Sequence, residues 1–181
     1  SIARRAQLPV AEKPESQDIC FVPSGNYVRF IAAYLEEQGT GLPEDSGELV
    51  TTSGEVIGRH AGVHHFTVGQ RRGLGIAAGR PLYVVSLDRA ANRVVVGDDA
   101  DLRRDSCEVR DINWISHARL AHPIEVEIKV RHRHAPAAAT LDPLDAASVR
   151  VRFRQPQRAI TPGQAAVFYS DDAVVGGGWI R

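Results

Sequence analysis

The sequence predicts a mainly β protein, in which a small α+β domain is followed by a β-barrel. From about Asp88 to the end, six short runs of β-formers are separated by Pro, Asp or Gly: CEVRDINWI, IEVEIKVRHRH, AAATL, SVRVRFR, QAAVFYS and AVVGGGWI. Short strands at such spacing favour a closed or nearly closed barrel over a layered α/β fold. Before Asp88, one helical stretch precedes a few shorter strands, in a chain of 181 residues that is long enough for one large or two small domains.

The helical stretch extends from Tyr27 to Gln38. Ser24 or Asn26 can serve as its N-cap, and Gly39 is placed to end it. Its apolar residues recur at helical spacing, namely Phe30, Ile31, Tyr34 and Leu35. These signals predict one helix ahead of the β-rich part of the chain.

A hairpin is predicted next, with strands near Glu48 to Thr51 and Val56 to His60 and a turn at Ser53 and Gly54. The segments PLYVVSLD and NRVVVGD predict two further strands, joined by a turn at Ala91 and Asn92. We place the boundary between the two domains near residues 85 to 90.

Overall composition excludes several classes of protein. The 22 basic and 22 acidic residues give a net charge of zero, so any attraction to nucleic acid must be local. The two cysteines, Cys20 and Cys107, form no CxxC pair, which favours a reducing, cytosolic setting. No stretch approaches the roughly 20 apolar residues that a membrane span needs, and the N-terminus has no apolar segment typical of a signal peptide. The chain contains no methionine, even at its first residue, so we expect it to be part of a longer protein.

Positive charge is concentrated between residues 128 and 158. Seven basic residues oppose two acidic ones there: Lys129, Arg131, Arg133, Arg150, Arg152, Arg154 and Arg158 against Asp142 and Asp145. Because side chains alternate along a strand, the first three share one face and Arg150, Arg152 and Arg154 share another. Such ladders suit phosphate. An ordinary solvated face, partly neutralised by Glu125 and Glu127, remains the alternative.

Other motifs give weaker signals. Gln70, Arg71 and Arg72 lie between two glycines, where the backbone could approach a ligand closely. His60, His64 and His65 raise the alternative of a zinc site, but their spacing matches none of the usual ligand patterns. Cys20 lies in the segment KPESQDICFV, residues 13–22, directly after a run of polar residues. Structural cysteines usually lie in apolar runs, so the environment of Cys20 is unusual for one.

Several of these segments, in this order, resemble bacterial tRNA-specific 2-thiouridylases of the MnmA type: EKPESQDICFV, GQRRGLGI, NRVVVG, VRHRH, RAITPGQAAVFY and GGGWI. The similarity covers nearly the whole chain. It implies the end of a catalytic domain in residues 1–24, a small central domain in residues 25–86, and a barrel like those of translation factors in residues 87–181.

The resemblance implies an enzyme that adenylates the C2 oxygen of a wobble uridine and replaces it with sulfur from a cysteine persulfide. The persulfide role maps onto Cys20, whose polar loop would give access to a sulfur donor and to the base. The family binds ATP through an N-terminal Ser-Gly-Gly-x-Asp-Ser loop and uses a second cysteine, with a disulfide bond implied, but neither element has a counterpart in this chain. Cys107 lies in the wrong domain to replace that cysteine and is interpreted as an incidental strand residue. We therefore expect the chain alone to be inactive.

The family's tRNA contacts map onto Arg131, His132 and Arg133, with His in place of a Tyr, and onto Gln164. We add Gln70, Arg71 and Arg72 as possible contacts. Strand alternation points His132 towards the apolar side, so a bulge is required for it to reach RNA. The implied partners are tRNA and a persulfide donor protein, the implied state is a cytoplasmic monomer, and no metal is expected. The alternative is an RNA-binding barrel without chemistry of its own.

Overall fold

The computed structural model describes residues 46–116, 119–131 and 135–181, and before them residues 2–7, 12, 30, 33–34 and 36–39. The chain divides into two compact units, Ser1–Pro43 and Glu44–Arg181. In the first unit, α1 comprises Ile2–Arg5, and residues 30, 33–34 and 36–37 are helical. The Gly39 amide donates to the Glu36 carbonyl (2.9 Å) with a φ of +69°, so Gly39 ends this helix as predicted.

The second unit begins with a four-stranded mixed sheet. Its strands are β1 (Gly47–Thr51), β2 (Val56–His60), β3 (Tyr83–Asp88) and β4 (Arg93–Gly97), in the order β2-β1-β4-β3. The predicted hairpin is confirmed as the antiparallel pair β1 and β2. β1 also pairs with β4 in parallel, in a register that places Leu49 beside Val94 in the core of this sheet. Residues 85–90, where we placed the domain boundary, include the second half of β3, and β4 follows them. The four-stranded sheet therefore extends beyond that boundary to Gly97.

The remaining strands form a closed six-stranded barrel, which confirms the predicted barrel. They are β5 (Arg103–Trp114), β6 (Ile124–Lys129), β7 (Ala137–Pro143), β8 (Val149–Arg158), β9 (Ala165–Ser170) and β10 (Ala173–Ile180). Their order around the barrel is β10-β5-β8-β7-β6-β9, and all neighbours pair antiparallel. Each of the six sequence runs corresponds to one strand.

Strand alternation separates the barrel core from its surface. Along β8, Val149, Val151 and Phe153 are buried, whereas the arginines between them are exposed. Along β6, Val126 and Ile128 are buried in the same way. The predicted faces of β8 are therefore confirmed, with Arg150, Arg152 and Arg154 outside the barrel. At the end of β6, Lys129 and Arg131 also face outwards, whereas Arg133 lies outside the described residues.

The sheet and the barrel are joined through Arg158 at the end of β8. Its guanidinium lies 5.2 Å from the centre of the Tyr83 ring on β3, and its Nε donates to Asp99 at 2.8 Å. Beside it, the Ala159 amide donates to the Leu102 carbonyl (2.9 Å), and both side chains pack in one small buried cluster. A cation over an aromatic face and a buried apolar cluster are both favourable, so this junction ties the sheet to the barrel.

Among the helices that the structure describes, none is long and apolar enough to cross a membrane.

The glycine run in β10 follows from close contact with the neighbouring strands. A Cβ added at Gly178 would lie 2.4 Å from the carbonyl oxygen of Arg110 on β5, a distance that only a backbone shift can relieve. We expect Gly178→Ala to lower the free energy of unfolding by about 1–3 kcal/mol. Urea denaturation followed by tryptophan fluorescence measures this change. The control is Ala173→Val at the exposed start of the same strand, expected within about 0.5 kcal/mol of the parent. Equal stability of both variants would contradict the observed packing of β10.

Candidate nucleic-acid interface

A groove on the outer face of the barrel contains two of the predicted tRNA-contacting residues. Its volume is about 470 Å³, and it lies where β6 meets β9. Six residues line it: Lys129, Arg131, Gln164, Ala165, Val167 and Tyr169. Arg131 and Gln164, which are 33 positions apart in the sequence, are thus brought to one place by strand pairing.

The register of β6 and β9 decides which side chains face the groove. Lys129 pairs with Val167, and Glu127 pairs with Tyr169. On β9, the alternate residues Ala166 and Phe168 are fully buried in the barrel core. Tyr169 therefore points outwards, with its aromatic ring available beside the basic residues.

Gln164 is held at the end of the groove by its backbone. The Gly163 amide donates to the Ile180 carbonyl (2.8 Å), and the Ile180 amide donates to the Gln164 carbonyl (2.9 Å). Gly163 has a φ of +84°, a conformation that favours glycine and explains its place in the Pro-Gly-Gln turn. The Gln164 side chain makes no hydrogen bond with any residue that the structure describes. Its amide therefore remains available to a ligand.

The charges in the groove are largely unpaired. Arg131 is exposed and forms no ion pair within the described part of the chain. The Lys129 ammonium lies 5.8 Å from the centre of the Tyr169 ring. An exposed guanidinium keeps its planar donor fork for a bidentate acceptor such as phosphate. The groove thus combines two cations, an amide and an aromatic ring.

The second arginine ladder, on β8, is in a different state because each of its members is paired with a carboxylate of another barrel strand, β5, β7 or β6. The pairs are Arg150 with Glu108 (3.3 Å), Arg152 with Asp142 (2.5 and 2.7 Å) and Arg154 with Glu125. Hydrogen bonds from Arg154 and Arg152 hold the pKa values of Glu125 and Asp142, respectively, below their ordinary values. This geometry favours the solvated, ion-paired interpretation for the β8 ladder.

The segment from Gln70 to Arg72, which we added as a possible tRNA contact, does not line the barrel groove. The Gln70 side chain accepts from the Thr67 amide (3.0 Å) and donates to the Arg72 carbonyl (2.9 Å), so it braces its own loop. Arg71 and Arg72 are exposed. Arg71 lines a separate groove that also includes Arg80 and several glycines.

The three histidines of the zinc alternative have other environments. His60 is buried, its Nδ1 accepts from the Gly62 amide (3.0 Å), and burial lowers its pKa. The rings of His64 and His65 lie 4.2 Å apart. In the described ranges, no group of three His, Cys, Asp or Glu residues is arranged to hold a metal. Packing is thus the role that the geometry supports for His60.

Cys107 is a free thiol on β5 that packs against the barrel core. Burial raises its pKa to about 12. At neutral pH the thiol is therefore protonated and a poor nucleophile. This environment agrees with the interpretation of Cys107 as a strand residue without a chemical role.

Three of the predicted site residues, Cys20, His132 and Arg133, lie outside the described residues. Three groove residues were not predicted from the sequence, Ala165, Val167 and Tyr169, of which Tyr169 is the aromatic one. The alternation in QAAVFYS contains the signal, because an apolar Phe168 inside the barrel requires Tyr169 to face outwards.

Two family models match this chain. Residues 30–98 match the model described as "tRNA methyl transferase PRC-barrel domain", and residues 104–180 match the one described as "Aminomethyltransferase beta-barrel domain". The second match covers the six-stranded barrel, and the first covers the four-stranded sheet.

Curated relatives named tRNA-specific 2-thiouridylase MnmA come from Acidobacterium capsulatum, Koribacter versatilis and Nostoc punctiforme. The A. capsulatum protein is 54% identical over 99% of this chain and 49% of its own length. The K. versatilis protein is 53% identical over 98% of this chain and 48% of its own length. The N. punctiforme protein is 47% identical over 99% of this chain and 50% of its own length. The chain thus spans about half the length of the curated relatives that it matches. Because the identity extends along nearly all of it, the chain belongs to the MnmA family of tRNA-specific 2-thiouridylases.

Proposed function

We propose that this chain is the C-terminal, tRNA-holding part of a tRNA-uridine 2-sulfurtransferase. The observation that carries the proposal is the barrel groove, in which Arg131 and Gln164 meet beside Tyr169. The relatives' name supports tRNA as the partner.

The groove matches the chemistry of unpaired RNA. Arg131 offers a bidentate fork to a phosphate, and the outward Tyr169 ring offers a surface on which a base can stack. The Gln164 amide offers both a donor and an acceptor to a base edge. His132 and Arg133 directly follow Arg131 in the sequence and extend the same proposed contact. Exposed Arg71 and Arg72 add a further proposed contact.

For the whole protein we propose ATP-dependent adenylation of the C2 oxygen of the wobble uridine. The outer sulfur of a persulfide on Cys20 then attacks C2, and AMP leaves with the oxygen. The family's second cysteine, which has no counterpart in this chain, next attacks the Cys20 sulfur, so that the S–S bond breaks, the uridine keeps the outer sulfur and the two cysteines form a disulfide. A persulfide donor protein supplies the sulfur. Cytoplasmic location and a monomeric state belong to the same proposal.

The described residues do not fit ATP. The glycine-rich segment from Gly69 to Gly79 leads into β3 rather than into a helix, so it lacks the helix N-terminal amides that usually cradle phosphates. We therefore place ATP binding outside the described residues. The second candidate function is an RNA-binding module without chemistry of its own, which the same groove supports.

The groove is tested by tRNA binding to the 181-residue chain. Arg131→Ala is expected to weaken binding and to reduce the slope of log affinity against log salt by about 0.7 unit, the value for a single strand, because the variant lacks one ionic contact with the RNA. Tyr169→Leu is expected to cost about 1–3 kcal/mol of binding free energy at an unchanged slope, because stacking is largely insensitive to salt. Fluorescence anisotropy with labelled tRNA at several salt concentrations measures both quantities.

The matched control is Arg152→Ala on the same barrel, where the arginine is already paired with Asp142. It should leave the salt slope unchanged. Arg133→Ala should act like Arg131→Ala, and His132→Ala should weaken binding without a change of slope. A His132 variant that loses only thermal stability would place that side chain inside the barrel. Unchanged affinity and slope in all groove variants, with intact folding, would refute RNA binding by this face.

The two cysteines should differ in reactivity. Burial raises the pKa of Cys107 to about 12, so very little of this thiol is ionised at pH 8, whereas a cysteine in a polar loop ionises in its ordinary range. We expect limiting iodoacetamide to modify Cys20 before Cys107, as measured by mass spectrometry of the digested protein. A Cys20→Ser variant should then take up almost no label until it is denatured. Faster labelling of Cys107 in the native chain would show this assignment to be wrong.

The chain alone should not catalyse the reaction. We expect the purified 181 residues to release no pyrophosphate from ATP and to leave tRNA unthiolated, because the described residues supply no phosphate cradle. A pyrophosphate assay in the presence of tRNA measures this, with a complete family enzyme as the positive control. ATP-dependent release of pyrophosphate by the chain would overturn the expectation.

A further inference from the structure

A second concave surface lies within the unit Glu44–Arg181, between the four-stranded sheet and the end of the barrel where β9 begins and β10 finishes. Its volume is about 750 Å³. Val85 of the sheet and Ile160 and Ile180 of the barrel give it an apolar floor, since all three are buried members of the cores on either side. We call this surface the junction cleft.

The junction cleft is strongly basic. Arg89, Arg104, Arg110 and Arg181 line it, and none of its lining residues is Asp or Glu. Arg89 and Arg104 are exposed and form no ion pair with any residue that the structure describes. Arg110 reaches a carboxylate of Asp111 at 3.7 Å, but both side chains are exposed, so water screens the pair. The uncompensated positive charge of the cleft therefore comes from Arg89 and Arg104.

Carboxylates near the cleft are engaged with other groups. Asp105 accepts from the Ser106 hydroxyl, Glu108 pairs with Arg150, and Asp99 pairs with Arg158. Their charges lower the long-range potential, but none of these side chains lines the cleft. The arginines that face the cleft thus keep their donor forks for a ligand from outside.

The two walls of the cleft are tied together before any ligand arrives. Arg158 connects them through its contacts with Tyr83 and Asp99, and the Ala159 amide is bonded to the Leu102 carbonyl. A ligand does not have to order these walls, which lowers the cost of binding.

An apolar floor beneath unpaired guanidinium groups suits a ligand with both planar apolar and anionic parts. A nucleotide chain has this chemistry, because its phosphates match arginine forks and its bases or sugars can cover the floor. We propose that the junction cleft is a second RNA site, which adjoins the barrel groove at Gly163 and Gln164 but uses different arginines, and which binds a phosphodiester segment of the tRNA. This inference rests on the proposed function, since tRNA is its ligand.

The test uses the double variant Arg89→Gln, Arg104→Gln, which keeps two polar side chains and removes two charges. Binding of unfractionated bacterial tRNA to the 181-residue chain is measured by anisotropy between about 50 and 300 mM KCl. Because the double variant cannot make two of the ionic interactions with phosphate, the salt slope should fall by about 1.4 units and the affinity at 0.1 M KCl by about 25-fold. The matched control is Arg93→Gln on β4, an exposed arginine paired with Glu48 at 2.9 Å, which should change neither quantity.

Melting curves establish that each variant is folded, and the two single variants replace the double one if it is not. A slope and an affinity unchanged from the parent overturn the inference. An equal loss of affinity in the Arg93→Gln control also overturns it, because the effect would then reflect net charge alone.

Parallel measurements on Arg131→Ala separate this inference from the proposed function. Loss of affinity in the Arg131 variant with no loss in the cleft variants refutes the cleft and leaves the groove standing. The reverse result supports the cleft and refutes the groove. A parent chain that does not bind tRNA refutes both.

Competition identifies the chemistry of the ligand. An oligouridylate should displace labelled tRNA from the parent chain better than a polyglutamate of equal charge, and this advantage should shrink in the double cleft variant. If polyglutamate displaces labelled tRNA from the parent chain as well as oligouridylate does, the inference is overturned. The cleft then selects only for negative charge and fits an acidic protein segment as well as RNA.

Discussion

Closure of the barrel by β9 is the constraint on which the candidate interface depends. This strand pairs with β6 on one side and β10 on the other, so its register is fixed twice. Ala166 and Phe168 fill the core, and Ala165, Val167 and Tyr169 must then face outwards. A slip of one residue would exchange the two sets. The packing energy of the core therefore also places the aromatic ring of the groove beside the basic side chains of β6.

Ion pairing, rather than the number of arginines, decides where this surface can receive an anion. Arg152 has a bidentate carboxylate partner in Asp142, whereas Arg131 has no partner in the described part of the chain. Exposed ion pairs add little to stability, but they occupy the guanidinium fork and cancel its field. The densest run of arginines in the sequence is thus the least available one, whereas Arg131 in the groove and Arg89 and Arg104 in the junction cleft form no ion pair with any described residue.

Local patterns predicted the elements, and long-range contacts were beyond them. Alternation and turn residues indicated all six barrel strands, the hairpin and the helix end at Gly39. The parallel pairing of β1 with β4 has no local signature, because it depends on packing between residues some 45 positions apart. Likewise, the carboxylates that pair with the β8 arginines come from other strands. Which arginine charges are neutralised is therefore decided by how the barrel strands are arranged, and local sequence does not show it. The glycines beside Gln70 suggested a candidate site there. The hydrogen bonds that Gln70 makes within its own loop could not be predicted from the sequence.

The two proposed RNA sites differ in what they can distinguish. In the groove, Gln164 presents an amide and Tyr169 a ring, groups suited to bases, while the fork of Arg131 is suited to the phosphate backbone. The junction cleft offers mainly guanidinium groups, which bind phosphates of any sequence. The cleft and the groove adjoin, because Gly163 lines the cleft and the next residue, Gln164, lines the groove. A backbone held in the cleft would therefore fix the register of the RNA, and the groove would then meet one particular nucleotide. Sequence-independent contacts at one site would in this way sharpen selection at the other.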